Sequence, residues 1–586
     1  MSRNFADLFE HSVDAMPDRV ALIEGDRVLT FHDLDAQADR LADYLASIGV
    51  GPGTHIGFQM HNGIDTMTTL IACFKARAVP ININYRYGVE ELRYVYDNAD
   101  LEVLFYHAPY EHAAREAAAL TPALRHLIVV GDRATDNGAT GAARTTGETR
   151  TTDGSRATDN TPGDHGHAPH RAAPARPNAV AAHPIGATTA VDSVPYEQAI
   201  ASGSPMRRTS DRSPDDLFMM YTGGTTGLPK GVMWRQEDMW RVLGGGIDFY
   251  TGEPVSDEYQ QSRVGAQVDP SIWFVLPPLI HAAAMMPTFT ALWSGNTVMF
   301  EPRFDAHRVW EVVAQRRPQI MVITGDAMAR PLIDAYRAQS VDASCLVAIA
   351  SGAALLSQQV KNTLLEMFPS TVISDSIGSS ETGFGGIGFA QKDDDPGRGP
   401  RVQTGRGAVV VDDAGRPVEP GAEGWLAKTG AVPIGYYKDP EKTGRLFQTV
   451  DGIRMVVTDD RARSERDGSV TLIGRGNMVV NTGGEKVFVE EVESVVKAHD
   501  AIYDAVVIGV PHERWGQQVA AVVSVTGAGA VDFAALESHV RRHLAGYKVP
   551  RKIWIAAAIS RAPSGKPDYR WAKEYSAGRA PDHEAG

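Results

Sequence analysis

The stretch YTGGTTGLPKGV, residues 221–232, has the composition of a loop that holds phosphate. Gly223, Gly224, Gly227 and Gly231 let the backbone approach a ligand closely and turn its amide N–H groups inward. Thr222, Thr225 and Thr226 add hydroxyl donors, and Lys230 adds a mobile positive charge. With almost nothing apolar in it, the run is neither a core strand nor a helix interior. A Walker-type loop, G-x-x-x-x-G-K-[ST], does not fit, because Leu228-Pro229 precede Lys230 and Gly231 follows it. A Gly/Thr turn with no ligand is the plainer alternative at this level.

A phosphate loop needs a rigid element ahead of it, and DDLFMMYTGG places a strand there. On either side the chain alternates strand and helix patterns. THIGFQM, AVPININ, VLFYH and LRHLIVVG read as strands, and FADLFEHSVDAM and FHDLDAQADRLADYLASIG as amphipathic helices. Beyond the loop, SIWFVLPPL, QIMVITGD, SCLVAIASG and TVISDSIG read as strands, with HRVWEVVAQRR and QVKNTLLEMF as helices. From about residue 405 the pattern turns β-rich, with DDAG and RDGS as turns. The last 110 or so residues read as a small α+β unit that ends in a polar tail. The fold class expected is α/β.

The chain has 586 residues, enough for several units, with 43% hydrophobic and 22% charged residues. A formal net charge of −15 argues against a nucleic-acid partner. Cys73 and Cys345, both in apolar surroundings, read as buried thiols rather than as a disulfide framework or metal site. The start of the chain lacks the apolar core of a signal peptide. The apolar run at residues 271–289 carries Pro277, Pro278 and His281, so it reads as a buried strand and a pocket wall, not a membrane span. A cytoplasmic protein is expected, and peripheral membrane contact stays open. From Ala134 to Ala179 there is no Val, Ile, Leu, Met, Phe, Tyr or Trp. Residues 134–190 therefore read as a disordered surface insertion. Its His165, His167 and His170, with His183, read as solvated rather than as a metal site.

The loop resembles the signature Thr-[Ser/Gly]-Gly-Thr-Thr-Gly-x-Pro-Lys-Gly of the adenylate-forming enzymes, which include acyl-CoA synthetases. Further segments resemble that family in order along essentially the whole chain outside the insertion. SDSIGSSETG, residues 374–383, is similar to the family's Tyr-Gly-x-Thr-Glu segment, with Ser380 at the Thr position and Glu381 as the carboxylate that holds Mg²⁺. SGAALLS brings Gly352 and Ala353 beside the adenine. VTDDRAR makes Asp460 the ribose ligand, with Asp459 where Gly is usual, and Ile377 stands where a Tyr is common. GRGNMVVNTGGEK supplies Arg475 for the ribose, Asn477 at the hinge, and Gly483, Gly484 and Lys486 on the CoA side. RAPSGKPDYR supplies Lys566 as the catalytic lysine, acting with Glu381 and Thr225.

The resemblance implies a large N-terminal adenylation domain, residues 1–474, built of layered α/β subdomains plus a β-rich one. A small mobile α+β domain, residues 475–586, follows it. It also implies ATP, Mg²⁺ and coenzyme A as cofactors and a small-molecule carboxylic acid as substrate. The region PPLIHAAAMM lacks the carboxylate that holds an amino-acid substrate's amine. Its Ala282, Ala283 and Ala284 are expected to leave room in the pocket and Met285 and Met286 to line adaptable apolar space, with plain core packing as the alternative. His281, Ala282, Gly325, Gly378 and Phe384 are the expected pocket residues, and the overall likeness favours a long-chain fatty or steroid-type acid. Two alternatives stay open: an acyl-AMP ligase that loads a carrier protein, and a non-catalytic adenylate-binding homologue, suggested by Ile377, Asp459 and Asn477.

Overall fold

The structure, a computed structural model, describes residues 4–131, 192–207, 211–222, 228–245, 255–354, 356–392, 400–403, 407–475, 478–482, 485–512, 516–527, 531–562 and 565–584. The expected insertion at 134–190, with its histidines, lies outside these residues. Three sheets organise the described chain, of fourteen, eight and six strands. The fold is α/β, as the alternation of patterns predicted.

Helix formation follows local chemistry. Helix Phe31–Ser47 begins at Thr30, whose hydroxyl accepts from Asp33 N–H at 3.0 Å, while the Asp33 carboxylate accepts from Thr30 N–H at 3.1 Å. Its Leu34, Ala38, Leu41, Ala42 and Leu45 recur at helical spacing and are fully buried. The same surface receives a charge. Lys75 ends helix Ile64–Lys75 and hydrogen-bonds Glu10 at 2.7 Å and Asp39 at 2.6 Å, with Asp35 at 2.7 Å. Glu10, Asp35 and Asp39 lie close enough together to hold a metal ion, but the Lys75 ammonium occupies that position.

In the fourteen-stranded sheet, Ile272–Val275, Thr297–Phe300, Ile320–Ile323, Ala348–Ser351 and Val372–Ser379 pair in parallel. Pro277 and Pro278 stop the first of these well short of the nine residues the pattern suggested. Helix Ala282–Trp293 follows, so the apolar run is a strand and a helix. Among the described residues, no helix is long and apolar enough to cross a membrane. After Ser379 the sheet becomes antiparallel through Gly383–Phe389 and the β-rich strands read from the sequence, among them Glu423–Thr429, Ile453–Ser464 and Ser469–Arg475.

The eight-stranded sheet carries Leu217–Thr222 beside Lys230–Arg235, antiparallel, with Gly435–Tyr436 along the latter's other edge. At its far edge His126–Val130 and Ser193–Pro195, the strands that flank residues 132–191, pair in parallel.

The six-stranded sheet contains the long antiparallel pair Ile502–His512 and Gly516–Val525. Both faces of this pair are apolar. Val507, Val519, Ala521 and Val523 pack under helices Val489–Lys497 and Phe533–His543. Val506, Ile508, Ala520 and Val522 face the other way and need a cover of their own. Helix Tyr569–Ser576 supplies it with Tyr569, Trp571, Ala572 and Tyr575, capped by Asp568, whose side chain accepts from Trp571 N–H at 2.9 Å. The expected polar tail is thus a helix with one apolar face. Cys73 is buried as expected, and burial pushes its thiol pKa well up; Cys345 is only half-buried, because its strand-approach segment lies at the surface.

Candidate nucleotide and carboxylate site

Thr222 ends one strand and Lys230 opens the next, and the two are register partners. The loop between them sits on a fixed base. Asn82 accepts from Tyr221 N–H at 2.7 Å and donates to the carbonyls of Tyr221 at 2.9 Å and Ile280 at 2.6 Å. Asn62 accepts from Leu279 N–H at 2.6 Å and donates to Pro277 O at 2.8 Å. Two buried amides therefore tie the end of the strand ahead of the loop and the segment before His281 to the chain at the ends of strands His55–Gln59 and Val79–Asn82. Gly223, Gly224, Thr225, Thr226 and Gly227 lie outside the described residues. Lys230 ion-pairs with Asp439, the N-cap of helix Pro440–Leu446, so its charge already has a partner.

The carboxylate segment is the turn between Val372–Ser379 and Gly383–Phe389. Ser379 N–H donates to Thr382 Oγ1 at 3.0 Å, which tightens the turn, and buried Trp234 donates Nε1–H to Ser380 O at 2.8 Å. Glu381 Oε1 accepts from Tyr436 O–H at 2.7 Å. Its other oxygen makes no hydrogen bond to a described residue. Gly378 and Phe384 are register partners across this hairpin. A Cβ at Gly378 would lie 2.4 Å from Gly383 O, so only glycine fits there.

Gly352 and Ala353 follow the parallel strand Ala348–Ser351. A Cβ at Gly352 would meet Ser376 Oγ at 2.7 Å, and Ala353 takes a left-handed φ of 63°. Ala353 and Ala354 line the cavity beside this segment. Gly325 opens helix Gly325–Ala338 at φ 49°, its N–H donating to Ser351 Oγ at 3.1 Å.

A cavity of about 220 Å³ collects residues far apart in sequence: Ala353, Ser376, Ile377, Gly378 and Thr382 on one side, Asp460 and Gly474 below, and Arg561 and Lys566 on the other. Asp460 is the register partner of Arg475. The side chains of Arg475 and Lys486, and all of Asn477, Gly483 and Gly484, lie outside the described residues. Ile377 is 8% exposed and offers this cavity an apolar wall. Asp459 lies 3.8 Å from Arg445, so the extra carboxylate meets a counter-charge within its own subdomain.

His281 precedes Ala282 at the start of helix Ala282–Trp293, and among the described residues its buried Nε2 has no hydrogen-bond partner. Burial first, then the nearby charges of Lys566 and Arg86, lower its pKa to about 4. The imidazole is therefore neutral at neutral pH, and Lys566 stands near it. Ala284 and Met285, expected as pocket lining, are core residues instead; Ala282, Ala283 and Met286 are half-buried.

Sequence reasoning missed Tyr436, Lys442, Asn62 and Asn82. GYYKDPEKT carries no phosphate signature of its own, and the two asparagines are isolated polar residues in apolar runs.

Strand-end loops of an α/β body here face a small α+β unit that brings a lysine to a shared cavity, the plan of enzymes that activate carboxylates with nucleotides. Among solved structures, an anthranilate CoA ligase in complex with anthranoyl-AMP matches with a TM-score of 0.77 at 20% identity, covering 98% of both chains. A family model described as AMP-binding enzyme matches residues 9–437, and one described as AMP-binding enzyme C-terminal domain matches residues 491–566. The chain belongs to the AMP-binding enzyme family. It is 42% identical over 591 residues to a 3-oxocholest-4-en-26-oate–CoA ligase of Rhodococcus rhodochrous, covering 99% of this chain and 97% of the relative. It is 42% identical over 582 residues, with the same coverage, to a medium/long-chain-fatty-acid–CoA/3-oxocholest-4-en-26-oate–CoA ligase of Mycobacterium tuberculosis.

Proposed function

We propose that this chain is an ATP-dependent ligase that joins a lipophilic carboxylic acid, of the long-chain fatty or steroid-side-chain type, to coenzyme A. The observation that carries the substrate class is its 42% identity, over nearly the full length, to ligases named for those acids. The substrates ATP and CoA put the reaction in the cytoplasm. Residues 1–474 form the adenylation body, and residues 475–586 rotate between half-reactions about Asn477.

In the first half-reaction a carboxylate oxygen bonds the α-phosphorus of ATP and pyrophosphate leaves, giving an acyl-adenylate. In the second a thiol sulfur bonds the acyl carbon and AMP leaves. The first step brings two anions together, so it depends on positive charge placed beforehand. Lys566 supplies that charge at the reacting oxygens. The loop from Thr222 to Gly227 supplies N–H and O–H donors to the phosphates, Thr225 and Thr226 among them. Ala353 and Gly352 border the adenine, Asp460 and Arg475 hold the ribose hydroxyls, and Ser380 stands beside them. Neutral His281, carrying its proton on Nε2, donates to the substrate carboxylate without adding charge. The acyl tail runs past Ala282, Gly325, Gly378 and Phe384. Glu381 keeps one carboxylate oxygen without a described partner, which suits a hard cation that also binds phosphate. Mg²⁺ held there would neutralise phosphate charge. Gly483, Gly484 and Lys486 meet CoA once the small domain has turned.

ATP–pyrophosphate exchange with a panel of acids tests the reading. Exchange is expected with long-chain fatty and steroid-side-chain acids and not with amino acids; exchange with amino acids alone, or with no acid, overturns it. Product formation that requires CoA separates CoA ligation from the loading of a carrier protein. Lys566→Ala is expected to lower exchange by about two to three orders of magnitude, while thioester formation from a supplied acyl-adenylate stays within a few-fold. Equal loss in both half-reactions would remove Lys566 from its role.

A further inference from the structure

The segment from Gly435 to Leu446 has no part in the chemistry assigned so far, yet two of its side chains touch the phosphate side of the site and a third lies against one of them. Tyr436 donates to Glu381 at 2.7 Å. Burial, then the carboxylates of Glu381 and Asp459, push the phenol pKa far above its ordinary range, so the hydroxyl keeps its proton. Asp439 takes up the charge of Lys230. Lys442 lays its ammonium 4.0 Å from the centre of the Tyr436 ring. It is half-buried, and among the described residues its ammonium makes no ion pair and no hydrogen bond. The charged groups that bear on it are Glu381, Lys230, Arg445 and Asp459.

These contacts rank the cations of the site. Lys230 is neutralised by Asp439. An ammonium carries three N–H donors, and a ring face satisfies one direction only. A partly desolvated ammonium whose N–H groups bond to no described residue is a place for an anion, and Lys442 stands beside the carboxylate proposed to hold the metal.

We propose that Lys442 is a phosphate-binding residue that takes the β- and γ-phosphates of ATP, and that Tyr436 is a positioning residue that aligns Glu381 and Lys442 about the same polyanion. This rests on the ligase reading for its place in the reaction, but not for its test.

Calorimetric titration of MgATP, Mg-pyrophosphate and AMP into the full chain checks it without any acid. Lys442→Ala and the longer Lys442→Gln are expected to weaken ATP and pyrophosphate at least tenfold and to leave AMP within twofold. Lys442→Arg is expected to recover all but about threefold, since it restores the charge. Tyr436→Phe is expected to raise the Mg²⁺ concentration needed for half-maximal ATP binding, with AMP affinity unchanged. Unchanged ATP affinity in both Lys442→Ala and Lys442→Gln, or equal weakening of AMP, overturns the assignment. Lys442-dependent ATP binding in a protein that shows no exchange with any acid supports it while overturning the ligase reading.

Discussion

Two buried lysines meet their counter-charges with very different geometry. Lys75 is 1% exposed, with three carboxylates at 2.6–2.7 Å and hydrogen bonds to two of them. Arg207 and Arg212 close over the same carboxylates, reaching Asp35 at 2.9 Å and Glu10 at 2.7 Å. Lys497 is as deeply buried, but its contact crosses from the small unit to the large one and is looser. Its ammonium lies 3.5 Å from Asp326, and Arg330 also reaches Asp326 only at 3.5 Å. Asp326 Oδ2 and Arg330 Nε make no hydrogen bond to a described residue. Around that pair the seam is thin: Tyr503 O–H to Asp334 at 3.3 Å, Gln359 to Asp500 at 3.4 Å, and Arg330 over the Tyr503 ring at 5.5 Å. Desolvated ions stabilise a junction only when their geometry is complete. With its three ion pairs at 2.6–2.7 Å the Lys75 cage comes nearer to that condition than the Asp326–Lys497 seam at 3.5 Å, although Asp35 Oδ1 in it also makes no hydrogen bond to a described residue; the looser seam suits the rotation proposed for residues 475–586.

The largest expected effect is at the cage. Lys75→Met leaves Glu10, Asp35 and Asp39 buried together and is expected to destabilise the large unit by about 3–5 kcal/mol, read by chemical denaturation. A loss below about 1 kcal/mol would show that the arginines alone suffice. The seam should behave differently. Asp326→Asn removes the carboxylate that faces Lys497 and Arg330 at the seam, but the small unit can lift away and let water reach them, so the penalty is capped by the free energy of undocking. Adenylation is expected to slow several-fold relative to thioester formation from a supplied adenylate, with little change in the melting of the large unit. A cage-sized loss of stability would make the two lysines equivalent and break the comparison.

The smallest effect is a pH dependence. Glu493 is buried one turn before Lys497, and burial raises its pKa to about 7 against the opposing pull of Lys497, Val507 N–H and Arg561. The folded protein therefore holds a proton that the unfolded chain has released above its ordinary value of 4.5, and stability falls as pH rises from there through about 7. Glu493→Gln keeps an acceptor for Val507 and removes the titration. The variant is expected to gain on wild type between pH 5 and pH 8, measured by denaturation at both; a parallel dependence in the two proteins would exclude Glu493 as its source.

What was legible in the sequence was whatever is written in consecutive residues. The Gly/Thr loop, SSETG, VTDD and SGK each stand out as short runs of consecutive residues; SSETG forms the turn after strand Val372–Ser379, whereas VTDD lies within strand Ile453–Ser464. Long-range pairing was not legible. Nothing in GYYKDPEKT says that its first Tyr will find Glu381, 55 residues earlier in the chain. Asn62 and Asn82 read as polar interruptions until the sheet sets each against a backbone segment about 140 to 220 residues away. Helix Tyr569–Ser576 hid for another reason: its apolar face is made by Tyr and Trp among charged residues, and its need becomes visible only once the strand pair is seen to be apolar on both sides. Ala284 and Met285 were misplaced because a small-residue run suits a pocket wall and a tightly packed core helix equally.

The parallel pairing of His126–Val130 with Ser193–Pro195 also fixes what the chain between them must do. A parallel neighbour is reached only by carrying the chain back along the length of a strand, which takes about a dozen residues. Residues 132–191 exceed that minimum several times over, and the entropic charge for closing a loop grows only by about 0.6 kcal/mol for each doubling in length. Length at this junction is thus nearly free to drift. It is the point on the molecule where a reporter or a second domain could be spliced in without disturbing the strands that carry the nucleotide site.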